Sequence, residues 1–166
     1  MKAKRSWIGS GLVMLFAVAM PAAGAAAQDA KISSVELRQC GIYKNEQVAR
    51  EKGAQSASGT SRAVGNSRLV RETREIPARV GTAFGCEVML HGAPSGAMAG
   101  FVAVLRLPAG AARESFRGSQ SFPIGEKGGY VGYTFRREAN LVSGDWLLEI
   151  WVDEKKVAEA AFVVTK

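Results

Sequence analysis

The chain is poor in the residue types that build metal sites and nucleophilic active sites. Its 166 residues include a single histidine, His91, and two cysteines, Cys40 and Cys86, with no C-x-x-C spacing. This set falls short of the usual ligands of a zinc site. A Ser/His/Asp hydrolase needs a histidine base, but His91 stands in a Gly/Pro-rich segment that reads as a turn, and no G-x-S-x-G motif is present. The sequence therefore predicts no catalytic residue, no metal site and no cofactor.

Long apolar runs are also scarce. The one at residues 7–20 follows three basic residues and precedes a proline and a run of small residues, which is the order of a secretory signal peptide. We expect residues 1–27 to be a signal peptide cleaved after Ala27, and an uncleaved membrane anchor is the alternative. The mature chain is then a single domain, residues 28–166, without a membrane span and either periplasmic or secreted.

Acidic residues are fewer than basic ones, 15 against 22, and the formal net charge is +7. The expected leader carries three basic residues and no acidic one, so residues 28–166 have a net charge of +4. The arginines between residues 62 and 79 are interrupted by Glu72 and Glu75. This mixture is typical of a solvated basic face, and the sequence predicts no nucleic-acid partner.

The two cysteines are expected to pair. Export would carry Cys40 and Cys86 into an oxidising compartment, where thiols tend to form disulfides. In the chain-entropy picture such a bridge contributes roughly 2 to 4 kcal/mol to stability. The alternative is two buried free thiols that pack as small apolar residues.

A change of composition marks a long surface loop. Residues 45–66 are rich in Ser, Gly, Ala, Lys and Glu and contain almost no large apolar side chain. Such a segment cannot bury enough surface to offset the entropy of ordering it. We expect a mobile loop here, with room for one short helical turn at residues 46–51.

The remainder of the chain shows the period-two alternation of β-strands, interrupted by Gly/Pro turns. The predicted strands are residues 32–43, 69–76, 82–90, 101–107, 115–124, 129–137, 146–152 and 157–164. Seven or eight short strands with hardly any helical periodicity favour an all-β protein, an antiparallel immunoglobulin-like β-sandwich. A closed β-barrel is the structural alternative.

The last two predicted strands form the clearest pattern. Trp146, Leu148 and Ile150 share one side of their strand, and Phe162 and Val164 share one side of the next. A tight turn at residues 153–156 joins the two strands into a hairpin. We expect this apolar side, with Trp146, to form part of the core.

Several short motifs resemble a known family when they are taken together. They are Gly41-Ile42-Tyr43, Thr73 with Ile76-Pro77-Ala78, Gly81 with Phe84-Gly85, Gly129-Tyr130, Gly144-Asp145-Trp146 and Phe162-Val163-Val164. The set resembles a family of exported bacterial domains of unknown function with immunoglobulin-like sandwiches. The resemblance implies the fold and export, and it assigns no site. Neither cysteine belongs to the family's pattern.

Trp151 is the residue most indicative of a binding surface. If Trp146 and Leu148 point inward, the pleat turns Trp151 outward, and a large exposed aromatic side chain can mark an interaction site. The alternative is that Leu147 or the loop at residues 45–66 covers it.

Two further hypotheses assign functional roles to particular side chains. A carbohydrate-binding protein would use Trp151 and Tyr130 as speculative ligand-binding residues. A hydrolase acting on envelope polysaccharide or peptide would use Glu149, Asp153 or His91, because glycosidases place paired carboxylates at the bond they cleave. Catalytic carboxylates need partners in a shared cleft, so this hypothesis depends on tertiary geometry.

The favoured hypothesis is an exported, non-enzymatic binding or assembly module, stabilised by one disulfide. Sandwich domains commonly bind through end loops or by accepting a strand at a sheet edge, and residues 115–124 are a candidate edge. The expected partner is an envelope protein or a glycan whose identity the sequence does not specify. The sequence also does not specify the oligomeric state.

Overall fold

The computed structural model describes residues 29–45, 67–125 and 127–166. The predicted signal peptide lies outside these residues, as does the predicted loop apart from Asn45, which ends a strand. The described residues form nine strands and one short 3-10 helix, Glu138–Asn140. The strands are β1 (Lys31–Asn45), β2 (Ser67–Glu72), β3 (Glu75–Pro77), β4 (Ala83–Ala93), β5 (Met98–Arg106), β6 (Ser115–Pro123), β7 (Gly129–Thr134), β8 (Gly144–Val152) and β9 (Lys155–Thr165).

The strands form two sheets that pack face to face. The four-stranded sheet has the order β2-β1-β4-β7, and the five-stranded sheet has the order β3-β9-β8-β5-β6. All neighbouring strands are antiparallel except β3 and β9, which are parallel. The predicted sandwich is therefore confirmed. Each sheet ends in two separate edge strands, unlike the sheet of a closed barrel.

The predicted strand at residues 69–76 was wrong as a single element. It divides into β2 and β3, which belong to different sheets, and this division raises the number of strands to nine. The chain crosses between the sheets at Thr73 and Arg74: the Thr73 amide donates to the carbonyl of Cys40 on β1, and the carbonyl of Arg74 accepts from Val163 on β9. Backbone hydrogen bonds to both sheets thus fix the segment that connects β2 to β3. The alternation of apolar residues in the sequence does not show which strands supply these hydrogen-bond partners.

The turn predicted at residues 91–96 begins later than expected. β4 continues to Ala93, and His91 is a strand residue that pairs with Ser34 of β1. The placement of His91 in a turn was therefore wrong. The reason is the length of β1, which starts at Lys31 and supplies backbone partners for the last residues of β4.

The predicted disulfide is confirmed, because Cys40 and Cys86 are bonded to each other. The bridge joins β1 to β4, neighbouring strands of one sheet, and both residues are buried. A bulge in β1 moves the pairing from Arg38 opposite Glu87 to Gly41 opposite Gly85, and Cys40 lies in that bulge. The bulge turns the Cys40 side chain to the inner face of the sheet, where Cys86 lies.

Aromatic rings form the centre of the core. Phe84 of β4 lies 5.2 to 5.7 Å, between ring centroids, from the rings of Phe135, Trp146 and Phe162. Trp146 is fully buried, and its indole nitrogen donates to the carbonyl of Val142 at 2.9 Å. The predictions of the C-terminal hairpin and of Trp146 as a core residue are confirmed.

Candidate functional site

The two sheets end side by side at β6 and β7, and an apolar cleft lies between these edges. At one end Phe116 of β6 stacks on Tyr133 of β7, with 4.9 Å between ring centroids. At the other end the ring of Phe122 occupies the space where a side chain on Gly129 would lie. The two contacts close the ends of the gap between the sheets, and an opening remains between them.

We call this opening the edge cleft. It encloses about 30 Å³. Gly118 and Gln120 of β6 border it, and because Gly118 has no side chain, the apolar floor is reached from the edge. The floor consists of Ala103, Leu105, Val131 and Leu148. The cleft is therefore a notch of side-chain size at a sheet edge.

Along β6, the backbone groups that point away from β5 pair with no strand of the described residues. The pairs at the two ends of the β5–β6 ladder are hydrogen-bonded, because Leu107 donates to the carbonyl of Glu114 and Ile124 donates to that of Ala97. Hydrogen-bonded and non-bonded pairs alternate along an antiparallel ladder. The amide and carbonyl groups that point away from β5 therefore belong to the outward-facing residues of β6, which are Ser115, Arg117, Ser119 and Ser121.

Positive charge collects at the Phe116–Tyr133 end of the edge cleft. The guanidinium carbon of Arg113 lies 4.8 Å from the centroid of the Phe116 ring. Burial raises the pKa of Tyr133, while a hydrogen bond to Asn140 and the charges of Arg113 and Arg136 act in the opposite direction. The guanidinium group of Arg113 thus lies on the ring that stacks on Tyr133.

Tyr130, the first speculative ligand-binding residue, covers the outer face of the four-stranded sheet. Its hydroxyl donates to the carbonyl of Phe84 at 2.9 Å, and its ring lies 4.5 Å from that of Tyr43. The ring lies over Gly85 and Gly132, whose missing side chains leave room for it. Burial raises the pKa of Tyr43 to about 12 and raises that of Tyr130 further. Tyr130 is thus held by its own sheet, and it borders the edge cleft as well.

Trp151, the second speculative ligand-binding residue, lies on the outer face of the five-stranded sheet. The structure therefore does not bring it together with Tyr130, which lies on the outer face of the other sheet. It is partly buried, and its indole nitrogen donates to Glu149 at 2.9 Å. Arg106 donates to the other carboxylate oxygen at 2.9 Å, and Lys156 is 3.9 Å from that oxygen. Glu149 is only 3% exposed although it lies on an outer face. This group of four residues, the Glu149 cluster, holds the Trp151 side chain in place.

The Glu149 cluster makes stability depend on pH. Burial raises the pKa of Glu149, but hydrogen bonds from Arg106 and Trp151 and the charges of Arg106 and Lys156 outweigh it, so the pKa lies below its ordinary value of 4.5. A carboxyl group with a lowered pKa in the fold stabilises it above the pKa of the unfolded chain, and this stabilisation is lost as the pH falls through the folded pKa. Protonation below about pH 4.5 therefore removes the contribution of Glu149.

We expect the substitution Glu149→Gln to lower the free energy of unfolding by about 1 kcal/mol at pH 7, because charged hydrogen bonds are replaced by neutral ones. The difference from the wild-type protein should shrink as the pH falls below about 4.5. Urea unfolding at several pH values measures the loss of stability at pH 7 and its dependence on pH. Glu159→Gln is the control, because Glu159 is exposed and should change stability little. Equal losses in both variants, or a difference independent of pH, would contradict this account.

The residues of the hydrolase hypothesis lie apart in the fold. His91 is on β4 of the four-stranded sheet, with its Nε2 atom 3.3 Å from Glu36. Glu149 is on β8 of the other sheet, where Arg106 and Trp151 occupy its carboxylate, and Asp153 lies in the turn that leads to β9. His91 and Glu149 therefore do not share a cleft.

Among the residues that the structure describes, no three His, Cys, Asp or Glu side chains form a group that could hold a metal ion. Within the same residues, no helix has the length and apolar character needed to cross a membrane.

Sequence reasoning found the edge strand but missed the cleft beside it. Residues 115–124 were predicted as an edge, and β6 is indeed the terminal strand of its sheet. Phe116, Gly118 and Tyr133 were not singled out. The alternation of Phe116, Gly118, Gln120 and Phe122 on one side of β6 was a usable signal, because a glycine between bulky neighbours leaves a gap in an inward-facing row.

Comparisons with known proteins identify the kind of domain. The model of the family described as "Domain of unknown function (DUF3859)" matches residues 31–164. A crystal structure of an immunoglobulin-like protein from Pseudomonas aeruginosa is similar to this chain, with a TM-score of 0.54 and 21% sequence identity over 84% of this chain and 99% of that chain. Among curated proteins, none matches. The sandwich is therefore of immunoglobulin-like kind, as predicted.

Proposed function

This chain belongs to the family described as Domain of unknown function (DUF3859), and we propose that it is an exported, non-enzymatic binding module that takes up an extended segment of a partner protein along β6. The observation that carries this proposal is the edge of β6. No strand of the described residues pairs with the backbone groups along that edge, and an apolar notch lies directly beside them.

An open edge strand is a template for another strand, and proteins usually protect such edges. β6 carries one charged side chain along its length, Arg117, and a proline only at its last residue, Pro123. The three outward-facing residues other than Arg117 are serines, which are small enough to let another backbone approach. In strand addition, main-chain hydrogen bonds supply affinity and pockets for alternate side chains supply specificity. The edge of β6 supplies the main-chain groups, and the edge cleft supplies a pocket for one side chain.

Export is supported by the disulfide. A bridge between Cys40 and Cys86 persists in an oxidising compartment and is rare in the cytosol. The signal-peptide pattern at residues 1–27 points to the same compartment. The periplasm or the cell exterior is accordingly the place where we expect a partner.

Blocking the β6 edge tests the proposal. We expect the protein, purified after expression of the full chain, to select peptides from a phage-displayed random library, and Ser119→Pro to weaken their binding at least tenfold. Proline removes the Ser119 amide that points away from β5, and it leaves the ladder with β5 intact. Binding is measured by fluorescence anisotropy with labelled synthetic copies of the selected peptides.

Ser119→Ala is the matched control, because it changes the same side chain and retains the amide. It should bind as the wild-type protein does. Selected peptides should also slow the hydrogen exchange of the Arg117, Ser119 and Ser121 amides. A library that yields no binding peptide, or peptides that bind the proline variant equally well, would exclude strand addition at β6.

A further inference from the structure

We propose that the edge cleft selects the added strand by two side chains, a Val-sized apolar one and a carboxylate two positions away on the Phe116 side. This inference rests on the proposed function and names the partner's chemistry, an extended acidic peptide segment.

An apolar side chain is expected at the position of the added strand that lies beside Gly118. A strand paired with β6 turns every second side chain toward the gap between the sheets. The side chain beside Gly118 meets an apolar floor that includes Ala103 and Val131. The volume open to the centre of a water-sized sphere is about 30 Å³, and one water needs roughly 10 to 15 Å³ of it, so the cleft has room for two or three groups of that size. That size suits valine, whereas an aromatic ring would not fit.

A carboxylate is expected at the next inward-facing position of the added strand, the one level with Phe116. Residues two apart in a strand are separated by roughly 6.6 Å, which carries the next side chain from Gly118 to the level of Phe116. There it reaches the stacked rings of Phe116 and Tyr133, with the guanidinium carbon of Arg113 4.8 Å from the centroid of the Phe116 ring and Arg136 in the segment that follows β7. The two turns that carry these arginines also contain Arg137 and the acidic residues Glu114 and Glu138, so the excess charge is positive.

On the other side of Gly118, the next inward-facing position is level with Gln120, whose side chain is neutral. Beyond it, Phe122 packs against Gly129 and closes the cleft. The carboxylate is therefore expected only on the Phe116 side. In a strand antiparallel to β6 the order is Val-x-Asp, and in a parallel strand it is Asp-x-Val.

Synthetic peptides test this pattern. Nine-residue peptides of Ser and Thr with a central Val-x-Asp or Asp-x-Val are titrated with the full-chain protein, and anisotropy reports binding. For the order that binds, we expect Val→Gly to weaken binding about tenfold, since burial of the side chain is lost. We expect Asp→Asn to weaken it about fivefold, with the effect disappearing at 1 M salt because screening removes it.

Variants of the protein assign each effect to its site. Gly118→Val should fill the notch and abolish the difference between the Val and Gly peptides, with thermal unfolding as the check on folding. Arg113→Gln combined with Arg136→Gln should abolish the preference for Asp over Asn and retain the preference for Val. Arg68→Gln on β2, at the opposite edge of the four-stranded sheet, is the control and should change neither preference.

Two failures are distinguishable. Peptides that slow exchange at the β6 edge but bind equally with Val or Gly and with Asp or Asn would overturn the selection pattern and leave strand addition standing. If neither these peptides nor library-selected ones bind at the edge, the proposed function itself is wrong, and the pattern fails with it.

Discussion

Replacing Cys40 and Cys86 together by alanine is expected to lower the free energy of unfolding by about 4 kcal/mol. The bridge spans 46 positions of the sequence, so it removes many conformations from the unfolded chain. The two residues are also buried between neighbouring strands and belong to the core. Because single domains are typically stable by only 5 to 15 kcal/mol, the loss is a large share of the total.

Urea unfolding of three samples measures this effect: the oxidised protein, the protein with a reductant, and the double alanine variant. The reduced protein and the variant should unfold at similarly low urea concentrations, and the reductant should not change the variant further. A reductant that leaves the wild-type midpoint unchanged while free thiols are detected would contradict the assignment of stability to the bridge.

The substitution Gly85→Ala is expected to lower the free energy of unfolding by about 3 kcal/mol, at the upper end of overpacking effects. A Cβ atom there would lie 2.5 Å from the Cα of Gly132 and 2.9 Å from the Tyr130 ring, and it would also collide with the carbonyl of Val131. Two of these three neighbours are backbone atoms of β7, so the strand itself would have to move. The same shift would displace Tyr130 from the Phe84 carbonyl.

Gly100→Ala is the matched control, since Gly100 is also a strand glycine. The atoms nearest to a Cβ there are 3.8 Å away, an ordinary van der Waals distance. Alanine should leave stability unchanged or raise it by up to about 1 kcal/mol, because glycine loses more backbone freedom on folding. Thermal or urea unfolding compares the two variants. Similar losses in both would show that close packing at Gly85 is not the cause.

The crowding at Gly85 also gives a structural role to the motifs of the family resemblance. Gly41, Tyr43, Gly85 and Tyr130 came from three separate motifs of the sequence, and the structure brings them together on the outer face of the four-stranded sheet. Gly41 pairs with Gly85, which pairs with Gly132 on the next strand. These residues make a close-packed glycine row covered by tyrosine rings, and this arrangement accounts for them without a ligand.

Much of the fold could be predicted because strand alternation is a local property. The hairpin of β8 and β9, the burial of Trp146 and the edge position of β6 all followed from which residues repeat at every second position. The division of residues 69–76 could not be predicted in this way. Its cause is a change of hydrogen-bonding partner at Thr73 and Arg74, and the partners lie on β1 and β9, far away in the sequence.

The candidate site was predicted only in part, because its components come from different sheets. The apolar notch needs Gly118 of β6 and Val131 of β7 to line one cleft, and its charged end needs Arg113 to lie on the ring that stacks on Tyr133. Trp151 was a speculative ligand-binding residue because its strand turns it outward, but that pattern does not show that its indole nitrogen donates to Glu149.

The sequence by itself determined all the strands except the division of residues 69–76, the inner and outer side of most of them, and the pair of cysteines available to form the bridge. These properties depend on the order of apolar and polar residues along a pleated chain, which needs no knowledge of neighbours. Only the tertiary structure decided which edges lie side by side, where the chain changes sheets and which charges meet. These features depend on which segments remote in sequence come close together, and the packing of one sheet on the other sets those distances.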